Sequence, residues 1–110
     1  MSFPIPSTQF DGTYAFVSST KVNEAHVNRA TRQIDQCPER RAGTLTIING
    51  QAHLPNFEGT VGYHGELAMI RVSRVEEGTV GGAIDRDGTL KARRTVGDCS
   101  YDTVWQKDSK

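Results

Sequence analysis

The pentapeptide Glu58-Gly59-Thr60-Val61-Gly62 occurs a second time as Glu77-Gly78-Thr79-Val80-Gly81, and this repeat decides the fold class. Glycine can adopt the positive φ angle that ends a tight turn, and a threonine followed by a β-branched or aromatic residue favours an extended strand. Shorter copies, Gly-Thr before a large apolar residue, begin at Gly12, Gly43 and Gly88. The gaps between copies are irregular, which excludes a solenoid repeat. We therefore interpret each copy as the start of a β-strand.

Alternating apolar and polar residues between turn signals predict about eight short strands. The strongest turn signal is Asn49-Gly50, which is typical of a type I′ hairpin. The predicted strands are residues 10–20, 45–48, 51–54, 57–63, 66–73, 79–85, 89–96 and 99–106. This order predicts an all-β antiparallel meander that forms a small barrel or a sandwich, similar in general architecture to lipocalins and streptavidin.

The length of 110 residues is sufficient for one domain with one small core. We expect this domain to span residues 10–107, after an extended, poorly tied lead-in over residues 1–9 and before a frayed tail over residues 108–110. Residues 21–42 are ambiguous. The stretch 23–30 is compatible with a short helix, but its apolar residues fit a helical period only partly, so we favour an extended or irregular conformation.

Composition excludes several classes of protein. Hydrophobic residues make up 35% and charged residues 24% of the chain, which indicates neither disorder nor a membrane span. Thirteen basic and thirteen acidic residues cancel, so no electrostatic attraction to nucleic acid or to an anionic membrane is expected. A partner is therefore expected to be a small molecule or another protein. Composition indicates no particular oligomeric state.

The sequence contains no reactive constellation. His26, His53 and His64 are the only histidines, and no two lie at a spacing typical of one metal site. There is no nucleophile elbow and no phosphate-binding loop. We therefore predict no metal, no cofactor and no catalytic residues, and the protein is not expected to be an enzyme.

Cys37 and Cys99 are the only cysteines, and they have no metal-binding spacing. One interpretation is a disulfide that joins the region before the central strands to the last strand. The other is a pair of buried free thiols in a cytosolic protein. The residues alone leave both open.

Arginines provide the most suggestive polar positions. Arg71 continues the face of Leu67 and Met69, and Arg94 continues the face of Leu90. If those faces point inward, both guanidinium groups lie near one end of the interior, where they are suited to hold a carboxylate or a phosphate. The alternative is that each arginine lies at the end of its strand with its charged group in water and its stem packed against the protein. As a candidate ligand site we name a barrel mouth near Arg71, Arg94 and Trp105.

Two adjacent arginine pairs, Arg40-Arg41 and Arg93-Arg94, are less informative. Adjacent residues on a strand point to opposite faces of the sheet, so neither pair is expected to form a simple basic patch.

Several motifs in order resemble a group of small, exported bacterial all-β domains that contain two cysteines and have no assigned function. The matching motifs cover most of residues 10–107 and are Phe10-Asp11-Gly12-Thr13-Tyr14, Gln36-Cys37-Pro38, Leu45-Thr46-Ile47-Ile48-Asn49-Gly50-Gln51-Ala52, Gly59-Thr60-Val61-Gly62, Gly65-Glu66-Leu67, Ile84-Asp85, Ala92-Arg93, Cys99-Ser100-Tyr101 and Val104-Trp105-Gln106-Lys107. The resemblance implies a periplasmic or secreted location and an oxidising compartment, which favours the disulfide. Residues 1–6 are not a signal peptide, so we expect one to have been removed from a precursor.

Two functions compete. The first is a non-catalytic extracytoplasmic binding domain that one disulfide stabilises. The second is a protein-interaction module, such as an inhibitor of a secreted hydrolase, with the segment 21–42 as its contact surface.

Overall fold

A computed structural model describes residues 3–23, 25–27, 32, 34–38, 41–72 and 77–108. Its strands are β1 (Gly12–Lys21), β2 (Ala25–Val27), β3 (Ile34–Gln36), β4 (Leu45–Ile48), β5 (Gln51–Leu54), β6 (Phe57–Val61), β7 (Glu66–Arg71), β8 (Gly78–Ile84), β9 (Thr89–Val96) and β10 (Cys99–Lys107). One 3-10 turn, Thr8–Phe10, precedes β1. Within the described ranges, no helix is long and apolar enough to cross a membrane.

Eight antiparallel strands close into a small barrel in the order β1-β10-β9-β8-β7-β6-β5-β4. β1 closes the barrel because its first residues pair with β4, with Tyr14 opposite Leu45, while the rest of its length pairs with β10. A register shift between Phe16 and Ser18 accompanies this double pairing. The all-β meander is confirmed, and it forms a barrel rather than a sandwich. Closure satisfies the backbone groups that a sandwich would leave at its edges.

Alternate side chains from each strand fill the interior, because successive residues of a strand point to opposite faces. On the last strand, β10, the core face consists of Cys99, Tyr101, Thr103 and Trp105, which are all buried. The largest side chains of the interior are fully buried and include Trp105, Tyr14, Leu45, Met69 and Leu90.

The type I′ turn predicted at Asn49-Gly50 is present between β4 and β5. Both residues have positive φ angles, 54° and 75°, as a type I′ turn requires. The Asp11 carboxylate accepts hydrogen bonds from the backbone N–H of Asn49 at 2.8 Å and of Gly50 at 2.9 Å. The start of β1 therefore holds the β4–β5 turn.

The glycines of the five Gly-Thr copies are not all required for turns, although the sequence suggests that they are. Only Gly12 and Gly88 among the five glycines have a positive φ angle. Gly59 lies inside β6, where an added Cβ would collide with the backbone of Ala68 on β7. At Gly78 it would meet the carbonyl oxygen of Thr95 at 2.8 Å. Close approach of neighbouring strands, rather than turn geometry, therefore requires glycine at these two positions.

The N-terminal segment is tied to the barrel, so the expectation of a poorly tied lead-in was wrong. The Ser7 N–H donates to the Val61 carbonyl at 2.8 Å, and the Thr60 hydroxyl donates to the Pro4 carbonyl at 2.7 Å. At the other terminus, Asp108 donates its N–H to Thr13 at 2.9 Å, and the rest of the predicted tail lies outside the described residues.

The ambiguous segment is extended or irregular where the structure describes it, which confirms the expectation for those residues. β2 and β3 pair with each other outside the barrel, and Ala25 lies opposite Gln36. The short helix considered for residues 23–30 is wrong at β2, and its remaining residues 24 and 28–30 lie outside the described part.

Candidate functional site

One end of the barrel, here called the disulfide end, contains both cysteines. At this end β1, β5, β7 and β9 finish, and β4, β6, β8 and β10 begin. A disulfide joins Cys37 to Cys99 with an S–S distance of 2.07 Å, and both side chains are buried. The interpretation of two free thiols was therefore wrong. The bond holds the chain that precedes β4 against the start of β10.

A pocket of about 240 Å³ opens at the disulfide end. Three of its described lining residues are arginines that come from different parts of the chain, and we call it the arginine pocket. Its described lining consists of Arg41, Arg71, Arg94, Ala42, Gly43, Leu54, Pro55, Asn56, Phe57 and Val96.

Arg94 lies on the inner face of β9 and is only 5% exposed. The alternation of β9 explains this position, because Leu90, Ala92 and Val96 are buried on the same face. The Arg94 guanidinium carbon lies 5.1 Å from the centroid of the Tyr101 ring, which is its cross-strand neighbour on β10. The face of an aromatic ring attracts a cation, and this attraction is stronger when the cation is withdrawn from water.

Arg71 reaches the same pocket from β7, which β8 separates from β9. It is the last residue of β7, on the face that begins with the buried Leu67 and Met69, and it pairs with Phe57 on β6. The side chain is half-buried. Arg71 and Arg94 therefore line one pocket at one end of the barrel, because β7 and β9 run in the same direction and both end there.

Arg41 is the pocket residue that the sequence did not indicate. It belongs to the irregular chain before β4, and its guanidinium carbon lies 5.4 Å from the centroid of the Phe16 ring. The rule for adjacent arginines holds on β9, where Arg93 points outward and Arg94 inward. It does not apply to Arg41 because that residue lies outside any strand, and Arg40 lies outside the described residues.

Trp105 lies near the pocket without being part of its described lining. Its side chain is fully buried, and its indole Nε1 donates a 3.0 Å hydrogen bond to the carbonyl of Gly43, which does line the pocket. Trp105 therefore supports a wall of the pocket rather than presenting a surface to a ligand.

The electrostatic character of the pocket is cationic. Three of its described lining residues carry a positive charge and none of them carries a negative one. Arg71 and Arg94 both have interaction partners within the folded chain, so an incoming anion would add to those contacts or compete with them. The guanidinium group suits this role because its planar set of donors matches a carboxylate or a phosphate.

The described histidines lie elsewhere. His53 Nδ1 is 3.9 Å from Glu58 Oε1 on the outer surface, where both side chains are largely exposed. His64 lines a separate depression at the opposite end, against Tyr63 and Arg86. Within the described ranges, no group of three or more histidine, cysteine or acidic residues is placed to hold a metal ion.

Comparisons with protein-family models, with curated proteins and with solved structures find no match for this chain.

Proposed function

We propose that this chain is a non-catalytic extracytoplasmic binding domain, and that its ligand is a small anion held in the arginine pocket through a carboxylate or phosphate group. One observation carries the proposal: Arg41, Arg71 and Arg94 come from three separate segments and line one pocket. Charged side chains are rarely fully buried unless they are paired. Arg94 is 5% exposed and already has partners within the chain, to which an anion in the pocket would be added.

The pocket also limits the size of the ligand. Pockets for drug-sized molecules have volumes of about 300–1,000 Å³. The arginine pocket, at about 240 Å³, is smaller. Phe57 and Val96 supply apolar walls beside the guanidinium groups. A compact anion with a short carbon skeleton fits these surroundings better than a nucleotide or an oligosaccharide does.

The location outside the cytoplasm rests on the disulfide. Disulfides persist in oxidising compartments, and small exported domains use them to supplement a limited core. The resemblance of the sequence to exported bacterial β-domains supports the same location. The alternative function, inhibition of a secreted hydrolase, stays a prediction because much of the contact segment predicted for it lies outside the described residues.

A matched pair of variants on β9 tests the proposal. Arg94→Met removes the inward charge while retaining an unbranched side chain, and Arg93→Met removes the neighbouring outward charge, which pairs with Asp102 at 3.0 Å. Inorganic phosphate and succinate, titrated at low ionic strength by calorimetry, are the probes. We expect saturable binding to the wild type, a loss of about tenfold or more in Arg94→Met, and little change in Arg93→Met.

Two outcomes would overturn the proposal. One is the absence of saturable binding of either probe to the wild type. The other is an equal loss in the two variants, because this would indicate general attraction to surface charge. Should Arg94→Met fail to fold, Arg71→Met replaces it, since Arg71 is only half-buried at the end of its strand.

A further inference from the structure

Tyr101 connects the arginine pocket to the disulfide. Its ring lies against the Arg94 guanidinium at 5.1 Å, and its hydroxyl donates a 2.7 Å hydrogen bond to the carbonyl of Pro38. Pro38 follows Cys37 directly, and Tyr101 is two residues after Cys99. The backbone of Tyr101 therefore lies beside Cys99 and its hydroxyl lies beside Cys37, so the disulfide joins the two segments that hold this residue.

The surroundings of Tyr101 differ from the main core. Cys37, Cys99 and Tyr101 form a buried cluster of their own, apart from the apolar interior of the barrel. Tyr101 is 1% exposed and is not among the described residues that line the pocket. It therefore has no direct surface to offer a ligand, and its contact with the pocket passes through Arg94.

From these contacts we infer that Tyr101 is a positioning residue, which holds the Arg94 guanidinium at the arginine pocket, and that the disulfide holds Tyr101 through Pro38. The inference deepens the proposed function and rests on it for its consequence in ligand affinity. An arginine side chain has several rotatable bonds, and a side chain that is ordered in advance loses less freedom when it binds. Tyr101 and the disulfide would supply that order.

The hydroxyl of Tyr101 is the atom that makes this inference testable. A phenylalanine would retain the ring against Arg94 but would lose the hydrogen bond to Pro38. Packing alone therefore predicts little change at Arg94 in Tyr101→Phe. A positioning role predicts a more mobile guanidinium even though the ring is still present.

Solvent exchange of the Arg94 Nε–H, followed by ¹⁵N NMR without any ligand, gives a direct readout because that nitrogen is buried. We expect exchange to be about tenfold faster in Tyr101→Phe and in the double variant Cys37→Ala/Cys99→Ala. The exposed Arg93 Nε–H is the internal control, and the Leu90 amide of the same strand reports whether the barrel itself remains intact. Tyr63→Phe, which alters an exposed tyrosine at the opposite end of the barrel, is the matched control variant.

Affinity for inorganic phosphate is the second readout, and we expect it to fall by about three- to tenfold in Tyr101→Phe. Unchanged Arg94 exchange in Tyr101→Phe would overturn the inference. If exchange is unchanged only in the double cysteine variant, the disulfide has no part in positioning Arg94. If that variant does not fold, the result for Tyr101→Phe decides whether the inference holds. If wild-type protein binds neither phosphate nor succinate, the proposed function fails, whereas the exchange measurement still decides whether Tyr101 positions Arg94.

Discussion

Trp105 Nε1 donates a 3.0 Å hydrogen bond to the carbonyl oxygen of Gly43, and this contact joins the barrel core to the rim of the arginine pocket. The indole is fully buried between Phe16 and Leu90, its neighbours on the adjacent strands. Gly43 belongs to the chain that also carries Arg41. The position of that irregular chain therefore depends on a side chain from β10, far away in sequence.

We predict that Trp105→Phe lowers the free energy of unfolding by about 2–4 kcal/mol. The smaller ring leaves a cavity, and the Gly43 carbonyl loses its indole donor. Urea unfolding followed by circular dichroism measures the change. The exposed Tyr63→Phe serves as a control, and a loss as small as the one in that control would contradict the importance of the bond.

A second prediction concerns neighbouring glycines on β8. An added Cβ at Gly82 would collide with the backbone of Lys91 and Ala92 on β9, whereas at Gly81 it would meet open space. We expect Gly82→Ala to destabilise the protein by about 1–3 kcal/mol or more, because strand backbones must move apart. Gly81→Ala should be neutral or stabilising by up to about 1 kcal/mol, because alanine reduces the freedom of the unfolded chain.

Thermal unfolding of the two glycine variants side by side separates these effects. Equal shifts in melting temperature would show that glycine propensity, rather than close approach of β8 to β9, governs both positions.

A third prediction concerns pH and Tyr14. Burial, with a smaller contribution from the charge of Asp11, raises the pKa of the Tyr14 phenol from 10.0 to about 12. The unfolded chain therefore releases this proton at lower pH than the folded protein does. The stabilising contribution is complete below about pH 10 and is lost as pH rises toward about 12.

The matched variant for this prediction is Tyr14→Phe, which cannot ionise. It also loses the 2.7 Å hydrogen bond to the Phe10 carbonyl, but that loss is a constant offset over the pH range used. We expect the stability difference between wild type and variant to shrink by about 1.4 kcal/mol between about pH 8 and pH 11. Urea unfolding at each pH measures it, and a constant difference would mean that the phenol ionises at the same pH in both states.

The barrel was predictable because its signals are local. Alternation fixes which face of a strand is buried, and turn residues such as Asn49-Gly50 fix where strands reverse. Once the strands are consecutive and antiparallel, the ends of β7 and β9 must lie at one end of the barrel. Arg71 and Arg94 line one pocket because the strands that carry them both end there, and both residues lie on the inner face.

The remaining features depend on contacts that leave no periodic pattern. Arg41 lies in an irregular segment, whose position is decided by the Trp105 bond to Gly43 and by the disulfide. Gly59 looks like a turn glycine in sequence, but β7 approaches too closely for a Cβ there. The N-terminal segment is held by bonds that involve backbone groups, which every residue possesses, so its sequence gives no sign of them.

The last prediction addresses that N-terminal segment. The Thr60 hydroxyl donates to the Pro4 carbonyl, and the adjacent Val61 carbonyl accepts from Ser7, so two successive residues of β6 hold the segment. We expect Thr60→Val, which keeps the shape of the side chain, to cost about 1 kcal/mol of stability, and deletion of residues 1–7 to cost more. Thr13→Val, on an exposed face of β1, is the control. In the truncated protein Thr60→Val should have almost no further effect, because the acceptor is already gone. A full effect of the substitution in that background would show that Thr60 stabilises the barrel by another route.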